Sequence, residues 1–445
     1  MVSEWPTVPL GELVEMSADK IATKSIPEKC YVSTDSMLPD FGGVSFNRAT
    51  PSVAKTSSFS KDDILFSNIR TYFRKLWIAD RNGGCSNDVI VFRSKENVHP
   101  RFMFYSMMDE RFIQHTVQTS KGTKMPRGDK SAIIQYNTVL PPLPEQKSIA
   151  HILGSLDDKI ELNRRMNETL EGISRSLFKS WFVDFDPVID NALEAGNPIP
   201  EEIAQRAETR RKALADGTAN REAAKAFPSA FQQTDEMGWI PDGWEVKQVK
   251  DFGSVVCGKT PSKKNADYYG SDVPFIKIPD MHQSAWITDT SDGLSSEGAT
   301  SQAKKEVPEN SICVSCIATV GKVVITSRDS HTNQQINSVV PDRDCFRYYL
   351  YFVFSGMTKE LHDLASGGSA TLNLNTGNFS KIDVLLPSDE ALESYFSAID
   401  PQFQKMLAND LESQTLIKLR DTLLPKLISG ELRIEDAEKI VKGEG

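Results

Sequence analysis

The stretch from Ile149 to Leu177, I-A-H-I-L-G-S-L-D-D-K-I-E-L-N-R-R-M-N-E-T-L-E-G-I-S-R-S-L, decides how the rest of the chain is read. Ile149, Leu153, Leu156, Ile160, Asn163, Asn167, Leu170, Ser174 and Leu177 recur at alternating intervals of four and three, the spacing of a heptad seam on a long helix. A second run has compatible spacing: Leu392, Phe396, Ile399, Phe403, Met406, Asp410, Ser413, Ile417, Leu424 and Leu427. Each holds a polar pair in mid-seam, Asn163 with Asn167 and Asp410 with Ser413. A solitary amphipathic helix ordinarily packs on a core. Two of them, each placed after a similar globular stretch, are expected to pair as an antiparallel coiled coil, the polar residues fixing register at some cost in stability.

The globular stretches are themselves written twice. Trp5, Leu10 and Leu13 in W-P-T-V-P-L-G-E-L correspond to Trp244, Val249 and Phe252 in W-E-V-K-Q-V-K-D-F. Ser67, Ile69, Thr71 and Lys75 match Ser315, Ile317, Thr319 and Lys322 with one residue of gap. N-D-V-I-V-F from Asn87 parallels N-Q-Q-I-N-S from Asn333, T-S-K-G-T from Thr119 parallels A-S-G-G-S from Ala365, and V-L-P-P from Val139 is answered by L-L-P from Leu385. Before these prolines, short β-branched runs broken by Gly, Pro, Asn and Asp read as strands and turns, while Pro100 to Gln118 and Phe346 to Leu364 have helical spacing. The expected fold class is α+β: two similar globular domains separated by two long helices that form an antiparallel coiled coil, with an internal pseudo-two-fold repeat. Expected boundaries are 1–143 for the first domain, 144–187 for the central repeated helix, 188–237 for a linker, 238–387 for the second domain, 388–430 for the C-terminal repeated helix and 431–445 for a tail. Ile189 to Gln233, rich in Ala, Glu, Arg and Pro, reads as a linker carrying a short exposed helix.

The 445 residues carry a net charge of -10, which at face value opposes nucleic-acid binding. The distribution softens that objection. Residues 1–143 hold 18 Lys+Arg against 15 Asp+Glu and residues 238–387 hold 14 against 17, so the two globular stretches together are neutral. Residues 144–237 and 388–445 supply the deficit, 12 against 17 and 7 against 12. Acidic surface therefore belongs to the connecting parts and is available to protein partners. The six scattered cysteines suit free thiols in a reducing compartment. With neither a leader-like start nor an apolar run of about 18 residues, the expectation is a soluble, cytoplasmic chain that makes no membrane contact.

Catalytic signatures are missing: no G-x-x-x-x-G-K-[ST] loop, no strand-linked G-x-G-x-x-G, and no Asn-Pro-Pro-aromatic tetrapeptide, since Pro141-Pro142 follows Leu140. The six histidines show no metal-ligand spacing. Cys313-Val-Ser-Cys316 has zinc-like spacing but no second pair, and reads as a strand. Pro241-Asp242 with Glu245-Val-Lys247 imitates a nuclease pattern, yet duplicates Trp5 to Leu13. What the globular stretches do offer is basic residues interleaved with aromatics: Arg70, Tyr72, Arg74 and Lys75, then Lys121, Lys124, Arg127 and Lys130, and in the second copy Lys259, Lys263, Lys264, Tyr268 and Tyr269 with Lys277 and Lys322. Arg and Lys suit phosphates and guanine edges, Asn and Gln adenine. A non-catalytic reader of double-stranded DNA leads; a self-contained nuclease or methyltransferase and a coiled-coil scaffold with protein-binding heads are the competing classes.

Four motifs carry a resemblance. They are Leu143-Pro-Glu-Gln-Lys147 leading into the first helix, L-F-K-S-W-F-V-D-F-D-P-V from Leu177 to Val188, G-W-I-P-D-G-W-E-V from Gly238, and L-R-D-T-L-L-P-K-L-I-S-G-E-L-R-I from Leu419. Together they resemble the specificity subunit of type I restriction-modification systems over nearly the whole chain. The resemblance implies two target-recognition domains, each reading half of a bipartite site, and helices that bind two methyltransferase subunits. It also implies restriction/translocase subunits that use ATP and magnesium. S-adenosylmethionine belongs to the methyltransferases, and this chain binds no cofactor. Ser388-Asp-Glu390 departs from the L-P-E-Q of the first copy. The seam from Ile149 to Leu177 measures about 43 Å at 1.5 Å per residue, comparable to about 13 base pairs, so helix length is expected to set the gap between half-sites.

Overall fold

The computed structural model describes residues 5–46, 51–282, 284–366 and 372–443. They form two compact units, Met1–Glu161 with Gln414–Gly445 and Leu162–Ser413, and the long helices Leu143–Phe178 and Asp389–Ile428 contribute to both.

In the first unit, β1 (Thr7–Pro9) pairs antiparallel with β10 (Asn137–Val139) just before the first long helix. One sheet has the order β2 (Val14–Met16), β9 (Val89–Ser94), β6 (Ile64–Ser67), β7 (Leu76–Ile78), antiparallel throughout. The other has the order β3 (Lys20–Ala22), β5 (Lys55–Phe59), β8 (Gly83–Cys85), β4 (Tyr31–Val32), with β4 and β8 parallel. Ile64, Phe66, Ile90 and Phe92 face a core built with the helices Pro100–Met108 and Glu110–Gln118, whereas Leu65, Val89 and Val91 face a smaller core with Val32, Phe59 and Cys85. Burial on both faces explains why I-L-F and V-I-V-F are continuous apolar runs rather than alternating ones.

The second unit repeats this plan. β13 (Glu245–Gln248) pairs with β23 (Asp383–Leu386) before the second long helix. The main sheet runs β14 (Gly253–Cys257), β22 (Ile336–Pro341), β19 (Ile312–Ser315), β20 (Val323–Thr326), the order of its counterpart, with β16 (Trp286–Ile287) added at the edge. The other sheet differs: β17 (Asp292–Leu294) pairs with β15 (Tyr269–Ile276), which lies parallel to β21 (Ser330–Thr332), and β18 (Glu306–Val307) takes the far edge. Three outer strands nevertheless correspond, since β15, β21 and β18 pair as β4, β8 and β5 do, and the difference lies in the edge strand, β3 beside β5 in the first unit and β17 beside β15 in the second. Cys313 lies among Ile276, Val324 and Ile336, while Cys316 belongs with Ile312, Val314 and Ile325. Three residues apart on an extended chain, their side chains leave on opposite faces. Both thiols are buried, which pushes Cys313 up to about 12 and Cys316 to about 11. The strand reading of Cys313-Val-Ser-Cys316 therefore holds.

Each long helix begins by packing on its own head. Ile149, Leu153 and Leu156 join Phe102 and Tyr105 in the first core, and Leu392, Ile399, Phe403 and Met406 join Tyr348 and Phe352 in the second. A tyrosine from each head reaches a carboxylate on the helix, Tyr105 to Asp157 at 2.7 Å and Tyr348 to Asp400 at 2.6 Å. Within each unit the two helices also meet antiparallel. In the second unit, Asn163 Nδ2 donates to the Asn409 carbonyl (3.3 Å) and to Glu412 (2.8 Å), and Asn167 Nδ2 to the Met406 carbonyl (3.1 Å) and Asp410 (2.7 Å). In the first, Leu423, Leu424 and Leu427 share the core with Leu153 and Leu156, and Arg420 donates to Asp157 at 2.8 Å.

The second seam departs from the one expected at Ile417. Ile417 is 37% exposed, while Asn409 is fully buried and Arg420 is 8% exposed. Two polar residues therefore occupy the helix contact, and a search for apolar spacing steps over them to the nearest aliphatic side chain. Ile160, Leu170, Leu177 and Phe396 are half-buried rather than fully enclosed. Removing one partner of a buried ion pair costs on the order of 3 kcal/mol, so Arg420 and Asp157 lock this register more firmly than another leucine would.

Residues 188–237, expected as a linker carrying a short exposed helix, do hold such a helix, Ala204–Ala215, which buries only Ala207, but the segment around it is folded. Helix Asp186–Ala195 buries Val188, Ile189 and Ala192, and it packs on helix Ala204–Ala215 through Arg206–Asp186 at 2.6 Å and Arg210–Asp190 at 2.5 Å. Phe227 lies in the second core, and β11 (Phe231–Thr234) and β12 (Gly238–Pro241) form a hairpin leading to Trp244. Part of the charged, alanine-rich composition that suggests a solvated linker pairs internally, Arg206 with Asp186 and Arg210 with Asp190.

Asp410 titrates high. Burial raises its carboxyl to about 6, against hydrogen bonds from Ser284 and Asn167 that oppose the shift. A folded-state value above the unfolded one means that a buried charge penalises the fold above pH 6, and that stability rises as pH falls from 6 towards 4 because the folded chain takes up the proton first. Asp410→Asn keeps the contact from Asn167. It is expected to raise stability near pH 7.5 by at most about 3 kcal/mol, and to flatten the dependence between pH 4 and 6, as read by urea denaturation; equal pH profiles for both proteins would refute this.

Candidate nucleic-acid interface

In the first unit, three loops meet at one end of the main sheet. The β6–β7 loop closes on itself through Ser67 N–H to the Lys75 carbonyl (3.0 Å) and docks on the 119–129 loop through Arg70 N–H to the Pro126 carbonyl (2.8 Å) and Gly128 N–H to the Asn68 carbonyl (3.2 Å). Asn68 N–H in turn donates to the Asp88 carbonyl in the β8–β9 turn (2.8 Å), and Ile69 forms a bridge with Arg127. A Cβ at Gly128 would sit 2.9 Å from Asn68 Oδ1, so a larger residue at this place would have to displace the Asn68 side chain. Arg70, Tyr72, Lys121, Lys124 and Arg127 are thereby brought together from two separate stretches.

Their states differ. Arg74 pairs with Asp40 (3.1 Å) and Glu110 (3.6 Å) and lies over the Phe41 ring at 5.0 Å, and Lys75 Nζ donates to the Thr34 carbonyl at 2.8 Å. Both are engaged in holding the 34–41 loop. Lys121 pairs with Asp129, whose carboxyl that hydrogen bond holds below its usual range, and Arg127 pairs with Asp88 at 3.0 Å. These are solvent-exposed pairs, which water and salt screen and which contribute little to stability. Arg70 and Lys124 make no ion pair among the described residues; Lys130 is exposed at the start of helix Lys130–Ile134. Tyr72 is 50% and Phe73 39% exposed, their rings 4.7 Å apart, and Met125 is 52% exposed. Phe73 and Met125 escape a search that asks for basic residues and tyrosine.

The second unit builds the same platform bond for bond. Ser315 N–H donates to the Lys322 carbonyl (2.9 Å), Ala318 N–H to that of Leu372 (3.1 Å), Leu374 N–H to that of Cys316 (2.9 Å) and Cys316 N–H to that of Gln335 (2.8 Å), with Ile317 bridging Asn373. Arg70 and Ala318 share a left-handed backbone, φ 51° and 65°. These bonds confirm the matching of Ser67, Ile69 and Lys75 to Ser315, Ile317 and Lys322. They also correct one pairing. Val89 N–H bonds the Ser86 carbonyl as Ile336 N–H bonds that of Asn333, so Asn87 corresponds to Gln334 and not to Asn333; the shared asparagine is a coincidence one residue out of register. Residues 367–369 of the A-S-G-G-S parallel lie outside the described residues.

On the repeated platform the side chains are different. Where the first unit has Arg70, the second has Ala318, and Tyr72 with Phe73 is answered by Val320 alone; Asn87 and Asp88 become Gln334 and Gln335, and Arg127 becomes Asn373. Lys259 joins this end through its N–H to the Thr332 carbonyl, and Thr260 Oγ1 donates to Gln334 at 2.7 Å. Lys263 and Lys264 are exposed beyond it, Tyr268 is half-buried, and Tyr269 donates to the Pro261 carbonyl. Lys322 is exposed near His282, whose pKa burial lowers first and this lysine second. Lys277 is committed to Asp292. Gln334, Gln335 and Asn373 were missed because basic and aromatic residues alone were sought; the signal was the polar run T-N-Q-Q-I-N opening an apolar strand.

The nuclease-like Glu245 and Lys247 pair with each other on β13. Among the described residues no cluster of His, Cys, Asp and Glu is arranged to hold a metal, and no helix is long and apolar enough to cross a membrane.

The family model described as type I restriction modification DNA specificity domain matches residues 2–172 and again 241–420. The chain is 39% identical to the type I restriction enzyme HindI specificity subunit of Haemophilus influenzae over 97% of this chain and all of that protein. It is 23% identical to the MjaIX specificity subunit of Methanocaldococcus jannaschii, over 77% of this chain and 71% of that one. Among solved structures, the S subunit of a type I restriction-modification system from M. genitalium shares its fold with a TM-score of 0.53 at 13% identity, covering 96% of each chain. Two copies of the specificity domain, each ending in a long helix, place this chain in the family of type I restriction-modification DNA specificity subunits.

Proposed function

We propose that residues 1–143 and 238–387 each read one half of a bipartite duplex target, and that residues 144–187 and 388–430 set the gap between the halves and dock two methyltransferase subunits. Restriction/translocase subunits join the same complex. In this reading the chain is the non-catalytic recognition subunit, working in the cytoplasm. S-adenosylmethionine serves the methyltransferases and ATP with magnesium serves the restriction subunits. The observation that carries the proposal is the platform of three loops, repeated hydrogen bond for hydrogen bond beneath different side chains. One geometry presents two chemistries, which is what reading two different half-sites requires. Arg70, Tyr72, Lys121, Lys124 and Arg127 form the first contact set; Lys259, Lys263, Lys264, Tyr268 and Lys322, with Gln334, Gln335 and Asn373, form the second. Arg74, Lys75 and Lys277, also read from the sequence as contacts, act by holding their loops. The neutral charge of the heads leaves part of the grip on DNA to partners.

Genome-wide mapping of adenine methylation, with and without this gene, tests the reading: one bipartite motif should vanish, and an unchanged pattern would sink it. Exchanging residues 1–143 for the head of another family member is expected to change one half of that motif only. Deleting seven residues from both long helices together removes about 10 Å, so the gap should shorten by about three base pairs with both halves intact. For the complex, Lys124→Ala is expected to lower the slope of log affinity against log salt by about one, whereas Arg74→Ala should lower the melting temperature and leave that slope alone.

A further inference from the structure

The end of the chain repeats a segment at its centre. L-F-K-S-W-F-V-D-F-D-P-V from Leu177 aligns without a gap on L-L-P-K-L-I-S-G-E-L-R-I from Leu423, so Trp181 corresponds to Leu427 and Val188 to Ile434. Helix Asp186–Ala195 has its counterpart in helix Ile434–Lys442. The same offset pairs Tyr395 with Ile149, and the strand pairs Thr7–Val139 and Val246–Leu385 bring Trp244 into correspondence with Trp5.

In the second unit this place is full. Phe227 lies between Trp181 and Trp244, ring centroids 5.2 and 6.2 Å away, with Tyr395 5.8 Å from Trp181. The segment that delivers Phe227 is held by its carbonyls: Asn191 Nδ2 donates to those of Ala224 at 2.7 Å and Phe227 at 2.8 Å. In the first unit the corresponding walls, Trp5, Ile149 and Leu427, together with Leu432 and Ile434, line a pocket of about 160 Å³ that is open to solvent on one side. A cavity of about 150 Å³ lined by aliphatic and aromatic side chains holds a benzene ring. Glu145 and Arg433 also line it, and neither side chain makes a hydrogen bond or ion pair among the described residues. A guanidinium suits a backbone carbonyl, as Asn191 does in the second unit, and a carboxylate suits an N–H.

We propose that this cavity is a socket for one aromatic side chain presented by a second protein chain, in the way that the segment before β11 presents Phe227. The proposal rests on the reading of the chain as a subunit of a larger assembly. It makes the two units equivalent where they otherwise differ: the second carries its plug in the same chain, and the first receives one from a partner.

The test uses the full chain and the complex with its methyltransferase subunits. Leu427→Trp, which fills the socket, is expected to raise the melting temperature of the isolated chain by a few degrees and to weaken assembly at least tenfold. Arg433→Glu, an exposed change that leaves folding alone, is expected to weaken assembly several-fold at an unchanged melting temperature, so the question stays answerable if Leu427→Trp does not fold. A photo-crosslinking residue in place of Glu145 should capture a segment of the partner that bears an aromatic side chain. Wild-type affinity in both variants overturns the socket, as does capture of residues 1–4 or of a second copy of this chain. Failure of the wild-type chain to assemble at all is a different result, which removes the reading of the chain as a subunit and the socket with it.

Discussion

The burial of the long helices' apolar sides is the constraint on which the rest of the structure depends. A two-stranded coiled coil needs only a narrow stripe, but helix Leu143–Phe178 buries Ala150 and Ile152 beside Ile149 and Leu153, because it packs on the head that precedes it as well as on the other helix. The second long helix does the same with Ala391, Leu392 and Tyr395. A strand pair at the foot of each helix, β1 with β10 and β13 with β23, ties the beginning of a head to its end at the point where the helix departs. Each head is thereby joined to its helix by a strand pair and a shared core.

Polar residues inside the helix contact serve specificity rather than strength. Asn163 and Asn409 correspond in the repeat, and each is buried with its Nδ2 donating across the contact. Neither Oδ1 accepts a hydrogen bond among the described residues, a real cost in a low-dielectric setting. Arg420 with Asp157 adds an ion pair, and Asp410 a carboxyl raised by burial. Sliding one helix by a turn would strand all of them, whereas a seam of leucines would tolerate the slip.

The heads separate what must stay constant from what must vary. Backbone hydrogen bonds set the platform, and any side chain that tolerates the local φ can ride on it. Arg74 takes a left-handed φ of 54°, stabilised by Asp40 and the Phe41 ring, where the second unit uses Gly321 at 88°. The outer sheets, whose edge strand is β3 beside β5 in the first unit and β17 beside β15 in the second, extend the same freedom to the segments between β2 and β5 and between β14 and β18.

Repetition, the long helices and the strand character of Cys313 and Cys316 were legible in the sequence because each rests on spacing, and spacing survives projection onto one dimension. The family resemblance was legible for the same reason, from contiguous motifs. What the tertiary structure alone decided is whatever depends on a partner distant in sequence. Ile417 loses its place in the seam to Arg420 because Asp157 lies opposite. The segment 188–237 folds because Arg206 and Arg210 find Asp186 and Asp190. Asn87 aligns with Gln334 because a turn hydrogen bond, not a shared letter, sets the register. The candidate contacts divide in the same way: residue type singled out Arg74 and Lys124 alike, and only the positions of Asp40, Glu110 and Phe41 show that Arg74 braces a loop, whereas Lys124 makes no ion pair among the described residues.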